Sequence, residues 1–378
     1  MPLRLYTNAH HLLQAFQIAA RALPSRSTLP SLTGVMIQAD ETGAWLVSTD
    51  LELSLRVRLV AEVAENGRTV VPGSPTLDIV RHLPDAAVEL QEVGGQLFLR
   101  YGRGENVLAT YEADQFPSFP PIEGGCPVKL GADDWQGLTK QVLVACGTDE
   151  VQPVFTGVLW ELPPGGPLTL VATDTHRLVV WRRSVEPEGG ASPVRVTVPR
   201  KALELSARIA QNSKEELVVE LGSQQVSVKG ADFLLVSRVI EAKYPNYEAV
   251  LPNSIATAVR VRREDFIDTL ERASVLAREE DKTRANVVKL EIGEGVLTVS
   301  SRGSIGSMRE PLDAEVQGKT GDIHFNVRYL LDGLEALSGE QAVIKINPDF
   351  SAAVIQNEGD ESYLYLVLPV IVGPEASR

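Results

Sequence analysis

The chain has 378 residues, 44% of them hydrophobic and 23% charged, and a formal net charge of −14. That length buries a sizeable core over more than one domain, and no apolar run reaches the ~18 residues of a membrane span, so no membrane partner is expected. Cys126 and Cys146 have neither zinc spacing nor the density of a disulfide framework, and the acidic balance repels nucleic acid at long range, so any DNA contact must use a locally basic surface.

The first predicted element is a strand running into an amphipathic helix, LRLYTNAHHLLQAFQIAARAL. Leu12, Leu13, Phe16 and Leu23 oppose a polar stripe of His10, Gln14, Gln17 and Arg21. No basic and then apolar leader precedes it, which predicts a cytoplasmic protein. An alternating strand pair follows, LTGVMIQADETGAWLVSTDLELSLRV, then a strand and second helix, RTVVPGSPTLDIVRHLP, then the hairpin segment AAVELQEVGGQLFLRYGRGENVLATYEADQFPSF.

The same order begins again with VKLGADDWQGLTKQVLVACG, continues through FTGVLWELPPGGPLTLVATDTHRLVVWRR and VRVTVPRKALELSARI, and ends in EELVVELGSQQVSVKGADFLLVSRVIEAKYPNYEAVLP. A third round runs VRVRREDFIDTLERASVLA, ANVVKLEIGEGVLTVSSRGSIGSMREPL, GDIHFNVRYLLDGLEALS and QAVIKINPDFSAAVIQNEGDESYLYLVLP. In its second helix Leu330, Leu331, Leu334 and Leu337 share one face. The period is about 126 residues, a third of the chain.

Three copies of one α+β domain are expected, at 1–125, 126–252 and 253–378, with joints in FPSFPPIEGGCP and VLPNSIA. Each copy repeats helix and strands twice, so two antiparallel sheets should pack on a pair of helices. Unpaired sheet edges call for partners in neighbouring domains or chains.

The stretch VATDTHRLVVW sets Asp174, His176 and Arg177 within four residues, the side chains of an acid, a base and an anion clamp. The first copy has VSTDLELSLRV at the same place. The Thr-Asp pair recurs and the His does not, which predicts that Thr49, Asp50, Thr173 and Asp174 serve a shared turn by side-chain hydrogen bonding. A hydrolase would need a nucleophile elbow and a nucleotide enzyme a phosphate loop; neither GxSxG nor GxxxxGK[ST] occurs. No catalytic residue, metal or cofactor is expected.

The threefold repeat, together with TLPSLTGV, VSTDLEL, VATDTHRL, TVPRKALEL, YPNYEAVLP, FNVRYLLDGLEAL and the C-terminal YLVLP, resembles the bacterial sliding clamps, the DNA polymerase III β subunits, over essentially the whole chain. The resemblance implies a non-catalytic processivity factor that is cytoplasmic and nucleoid-associated. It implies a head-to-tail homodimer forming a six-domain ring around double-stranded DNA without sequence preference. Implied partners are a replicative DNA polymerase, a clamp-loader ATPase, and translesion polymerases, mismatch repair and ligase proteins that dock through short linear peptides.

The peptide groove implied by the resemblance falls on Phe155, Thr173, Thr175, His176, Arg177, Leu178, Pro245, Val250, Val367, Leu368, Pro369 and Val370. Thr175 stands where the family frequently has glycine, and the tail IVGPEASR runs past the usual end. Implied DNA contacts are Arg26, Arg200, Lys201, Asn326 and Tyr329. The helices add Arg21, Arg81, Lys140, Arg208, Arg272 and Arg328, which read equally well as a solvated helix face. Dimer contacts are implied at Val107 and Leu108, within 106–110, and at Val275 and Leu276. A scaffold that binds peptides without encircling DNA stays open at this point.

Overall fold

The computed structural model describes residues 3–24, 26–121, 125–149, 151–185, 193–212, 215–277 and 286–372. The chain forms two compact units, Met1–Gln136 with Glu186–Val239, and Gly137–Val185 with Ile240–Arg378. No described helix is long and apolar enough to cross a membrane.

In the first unit one antiparallel sheet has the order Glu62–Glu65, Arg4–Asn8, Ala87–Val93, Gln96–Tyr101, Gly104–Ala109. A second runs Cys126–Gly131, Glu216–Leu221, Gln225–Lys229, Phe233–Arg238, Leu53–Leu59, Gly43–Thr49, Gly34–Asp40, Gly67–Pro72. Helices α1 (Ala9–Ala19) and α2 (Gly73–Arg81) share a core with both. Leu5, Leu90 and Leu97 enter it from the first sheet, Ile37 and Leu46 from the second, Leu12 and Phe16 from α1, and Val80 from α2. Alternation and the i, i+4 spacing make those faces apolar together, which is why the two periods meet in one core.

Asn8 starts α1 by accepting the His11 amide at 2.7 Å. The helix is shorter than the spacing predicts: it ends at Ala19, and a 3₁₀ turn over Ala20–Ala22 keeps Arg21 on the exposed side. Helix α3 (Ala132–Leu143) crosses the division between the units, and α4 (Arg200–Ile209) lies in the first, where the Trp135 indole donates to Ser206 Oγ at 3.2 Å.

The second unit has a sheet running Gly157–Leu162, Leu168–Thr173, Arg177–Arg183, Tyr363–Val367, Ala353–Asn357, Gln341–Ile346, Thr257–Arg262, Gly306–Gly318, Val296–Gly303, Val287–Gly293, Gly321–Asn326. Helices α5 (Arg263–Leu276) and α6 (Val327–Glu335) pack on each other and on this sheet. Leu330 and Leu334 of α6 and Leu337 just beyond it are buried, while Leu331 is only half-buried. A Cβ on Gly333 would lie 2.6 Å from the Tyr365 ring, so the absence of a side chain there lets α6 approach the sheet.

The compact units are thus not the three repeats. Phe233–Arg238 of the middle repeat pairs with Leu53–Leu59 of the first, Leu235 opposite Leu55. Arg177–Arg183, also of the middle repeat, pairs with Tyr363–Val367 of the third. A repeat's edge strand finds its hydrogen bonds in the next repeat, so the middle copy is divided between two continuous sheets.

Candidate functional site

The Thr173–Arg177 turn is built by its own polar side chains. Thr173 Oγ1 donates to the Arg177 carbonyl at 2.7 Å and accepts the Thr175 amide at 3.1 Å. Asp174 Oδ1 accepts the His176 and Arg177 amides, both at 3.0 Å. The first repeat has the same four bonds: Thr49 Oγ1 to the Leu53 carbonyl at 3.0 Å, the Leu51 amide to Thr49 Oγ1 at 3.0 Å, and the Glu52 and Leu53 amides to Asp50 Oδ1 at 3.0 and 2.7 Å. The recurrent Thr-Asp pair is therefore a turn device, as its recurrence predicts.

Arg177 is turned toward α6. Its Nε donates to Asp174 Oδ2 at 2.9 Å, its Nη1 engages the Asp332 carboxylate and reaches Tyr365 Oη at 3.5 Å, and its guanidinium lies 4.5 Å from the centre of the Tyr329 ring. Burial alone would lower its pKa, but the Tyr365 hydroxyl and the two carboxylates outweigh burial and raise it above the ordinary arginine value. His176 is exposed, its ring 6.1 Å from that of Tyr329. Its carbonyl accepts the Leu368 amide at 2.9 Å, and the His324 carbonyl accepts that of Val370 at 2.8 Å. These two bonds tie down the chain after the last strand.

On the opposite face of the same strands lies an apolar surface in two cross-strand rows. Thr173, Leu178, Leu366 and Val354 are successive register partners, and beside them run Leu159, Val171, Val180 and Leu364. Tyr244 and Tyr247 pack onto these rows together with Val154 and Leu251. The Tyr247 hydroxyl donates to Glu161 Oε2 at 2.8 Å, and burial, aided by that carboxylate, pushes its pKa up to about 12. Phe155 meets the Tyr244 ring edge-on at 6.3 Å. Pro245, Val250 (53% exposed) and Leu368 (39% exposed) stand out from the cluster as uncovered apolar surface. The first repeat carries Ser54 and Arg56 where the middle repeat carries Leu178 and Val180, so the fold forms this face twice, and in the first repeat polar residues interrupt the apolar rows.

Several predicted groove residues lie off the exposed apolar surface. Val367 is fully buried and is the register partner of Arg177, on the α6 side. Strand alternation puts Leu366 in the apolar row in its stead. Arg177 is likewise on the α6 side, next to Leu178 in sequence but on the other face. Thr173 directs its hydroxyl into the turn, and Leu178, at 3% exposure, is floor rather than wall. Thr175 is exposed at φ +77°, and Pro369 and Val370 are half-buried; of the tail, residues beyond Val372 lie outside the described residues. Val180, Val354, Leu364, Tyr244 and Tyr247 were missed, although Val180 and Leu366 could have been found by stepping two residues from Leu178 and Leu368.

The predicted DNA contacts divide by partner. Arg81 pairs with Asp78 at 2.8 Å, Arg200 with Glu204 at 2.7 Å, Arg272 with Glu310 at 2.5 Å, and Lys201 closely with Asp50. Arg21, Arg26, Lys140, Arg208 and Arg328 are exposed and have no ion pair among the described residues. Arg21 and Arg208 line one cleft of about 730 Å³ in the first unit, and with them Arg58, which the sequence reading overlooked. Asn326 caps α6 by accepting the Arg328 amide at 3.0 Å. Tyr329 belongs with His176 and Arg177 rather than with the free cations. At the predicted dimer contacts, Val107 and Val275 are exposed, Leu108 packs against the first unit's core, and Leu276 is half-buried. Among the described residues no three His, Cys, Asp or Glu side chains gather to hold a metal.

Models of the N-terminal, central and C-terminal domains of the DNA polymerase III β subunit match residues 3–120, 129–246 and 248–371. The chain is 30% identical over 361 residues to the β sliding clamp of Staphylococcus aureus, covering 93% of this chain and 94% of that protein. It is similar to the crystal structure of the Pseudomonas aeruginosa sliding clamp bound to griselimycin, with TM-score 0.91, 27% identity, and 98% and 100% of the two chains covered. The C. crescentus β sliding clamp, crystallised with a polyethylene glycol at a proposed β-motif tethering region, has TM-score 0.91 and 25% identity, with 98% and 99% covered.

Proposed function

The chain belongs to the DNA polymerase III β subunit family, the non-catalytic sliding clamps of DNA replication, and on that premise we propose that two copies join head to tail into a six-domain ring around duplex DNA. Its three clamp domains are 1–125, 126–252 and 253–378. It acts in the cytoplasm, at the nucleoid, as a polymerase processivity factor, and a clamp-loader ATPase opens it.

The apolar double row at the junction of the middle and third repeats is the tether for partner peptides. The observation that carries this reading is the pairing of that row with uncovered apolar side chains, Pro245, Val250 and Leu368, beside a polar turn. Apolar pockets supply burial and a few polar groups fix direction, which suits a short extended peptide from a replicative polymerase, a translesion polymerase, or a mismatch repair or ligase protein. An affinity near 1 μM, about −8 kcal/mol, is expected of so short a segment.

Retention on DNA is topological. Exposed cations at Arg21, Arg26, Lys140, Arg208 and Arg328, and Arg58 once it leaves Asp232, supply scattered phosphate contacts, which carry no base information. The acidic remainder of the surface discourages binding elsewhere. The deciding experiment loads the protein onto nicked circular DNA, raises the salt, and then linearises the circle. Retention on the circle with release from the linear form is expected; loss from both in high salt overturns the ring.

A further inference from the structure

We propose that Asp332, on α6, is a positioning residue for the peptide groove, acting through Arg177 to hold the turn that carries His176 and Leu178. The inference rests on the groove reading above. Asp332 is not among the residues of the apolar rows, so any effect on peptide affinity has to pass through the turn.

Thr175 sits at φ +77°, a conformation that an L side chain adopts reluctantly, so the turn needs holding. Thr173 and Asp174 hold it from inside. From outside it is held by the Arg177 side chain, only 13% exposed, which bridges Asp174 Oδ2 at 2.9 Å and the Asp332 carboxylate. A guanidinium so far withdrawn from water depends on both carboxylates, and losing one leaves it free to seek solvent. The turn then governs one wall and the floor of the groove. The His176 carbonyl fixes the Leu368 amide at 2.9 Å, and Leu178, the residue after Arg177, is the centre of the first apolar row.

The first repeat gives an independent precedent. There the same turn is tied to α4, the second helix of the following repeat, by Asp50 and Lys201. The acid is in the turn and the base on the helix; around Arg177 the polarity across the gap is reversed. The fold thus ties this turn to the next repeat's second helix twice, with unrelated residues, and at Asp332 the tie keeps uninterrupted apolar rows in register.

The test is calorimetric titration of the full chain with a synthetic replicative-polymerase C-terminal peptide. Asp332→Asn is expected to weaken the binding that the unsubstituted chain displays by about tenfold, and Asp332→Glu to restore it to within about threefold, the scale of a charge-assisted hydrogen bond. Amide hydrogen exchange at His176, Arg177 and Leu368 should quicken in Asp332→Asn while the denaturation midpoint stays near that of the parent. Undiminished affinity and unchanged exchange in Asp332→Asn overturn the proposal. Should that variant not fold, Tyr365→Phe removes the hydroxyl between Arg177 and the Tyr329 carbonyl; a loss of affinity of about threefold supports the proposal and none overturns it. If the unsubstituted chain does not bind the peptide, the groove reading itself fails, an outcome distinct from a variant that binds like its parent.

Discussion

Leu51 and Thr175 occupy the same left-handed position in two copies of one turn, at φ +76° and +77°. Only glycine takes that conformation without steric cost, and a β-branched residue takes it least readily. Thr175→Gly should therefore stabilise the chain by about 1 kcal/mol, and Leu51→Gly by somewhat less, after the added freedom of glycine in the unfolded chain is set against the relieved strain. Urea denaturation measures both. A lower midpoint in each variant would contradict the account of the turn.

Val250→Asp and Leu368→Asp are expected to weaken binding of a polymerase peptide at least about tenfold, because a bound apolar side chain would strip water from the new charge. Both positions are exposed, so the fold should survive; a charge at Leu178, in the floor, would destabilise the protein as well. Wild-type affinity in both variants would remove the groove from the apolar rows.

Substituting Arg58 by Ala, or Arg21 or Arg208 beside it, should lower DNA affinity at low salt and reduce the slope of log affinity against log salt by about 0.9 for each phosphate that is no longer neutralised. Arg272→Ala should have less effect, since Glu310 engages that guanidinium at 2.5 Å, more closely than Asp232 engages Arg58 at 3.6 Å. Equal slopes for Arg58→Ala and the parent, read by fluorescence anisotropy on a short duplex, would exclude the cleft from DNA binding.

Among the described residues the edge strand Gly104–Ala109 has a strand partner on one side only, and Val107 projects from it uncovered. Val275→Asp together with Leu276→Asp should yield a folded monomer by light scattering if that end of α5 meets such an edge on a second copy. A mass twice that of the chain would sink this assignment.

Tyr247 ties the pH dependence of stability to the groove. Its pKa is pushed from the ordinary 10 up to about 12 by burial and by Glu161. A raised folded-state value favours folding fully below pH 10 and loses that contribution as pH climbs through about 12. Replacing Tyr247 by Phe should flatten the fall in stability between those limits, as read by urea midpoints across the range; a parallel fall in both proteins would assign the alkaline loss to other groups.

How far the chain could be read beforehand depends on the range of the forces involved. The three repeats were legible because every helix and hairpin repeats its own local pattern, Leu12 and Phe16 on a helix face or Ile37 and Leu46 on alternating strands. The division of the middle repeat was not, because which strand accepts the hydrogen bonds of Phe233–Arg238 is decided by edges some 180 residues apart in sequence. Of the proposed groove, Val250 and Leu368 stand on motifs legible in the sequence, but the facing of Val367 and Arg177 does not, since a shift of one residue exchanges the two faces of a strand. The family resemblance sets Tyr329 among the DNA contacts; its ring lies against the Arg177 guanidinium, a contact across 152 positions that no local pattern announces.

The sheets that run on from one repeat to the next have a consequence for any attempt to take the molecule apart. A fragment cut at the repeat joints, such as 126–252, would be released with two open strands, Phe233–Arg238 and Arg177–Arg183, stripped of the neighbours that satisfy their amides. Such a piece is a template for indiscriminate pairing, and its natural fate is aggregation. The same unfilled valence is what permits growth: a module that must borrow an edge at each end can be added to its like until the two outermost edges meet.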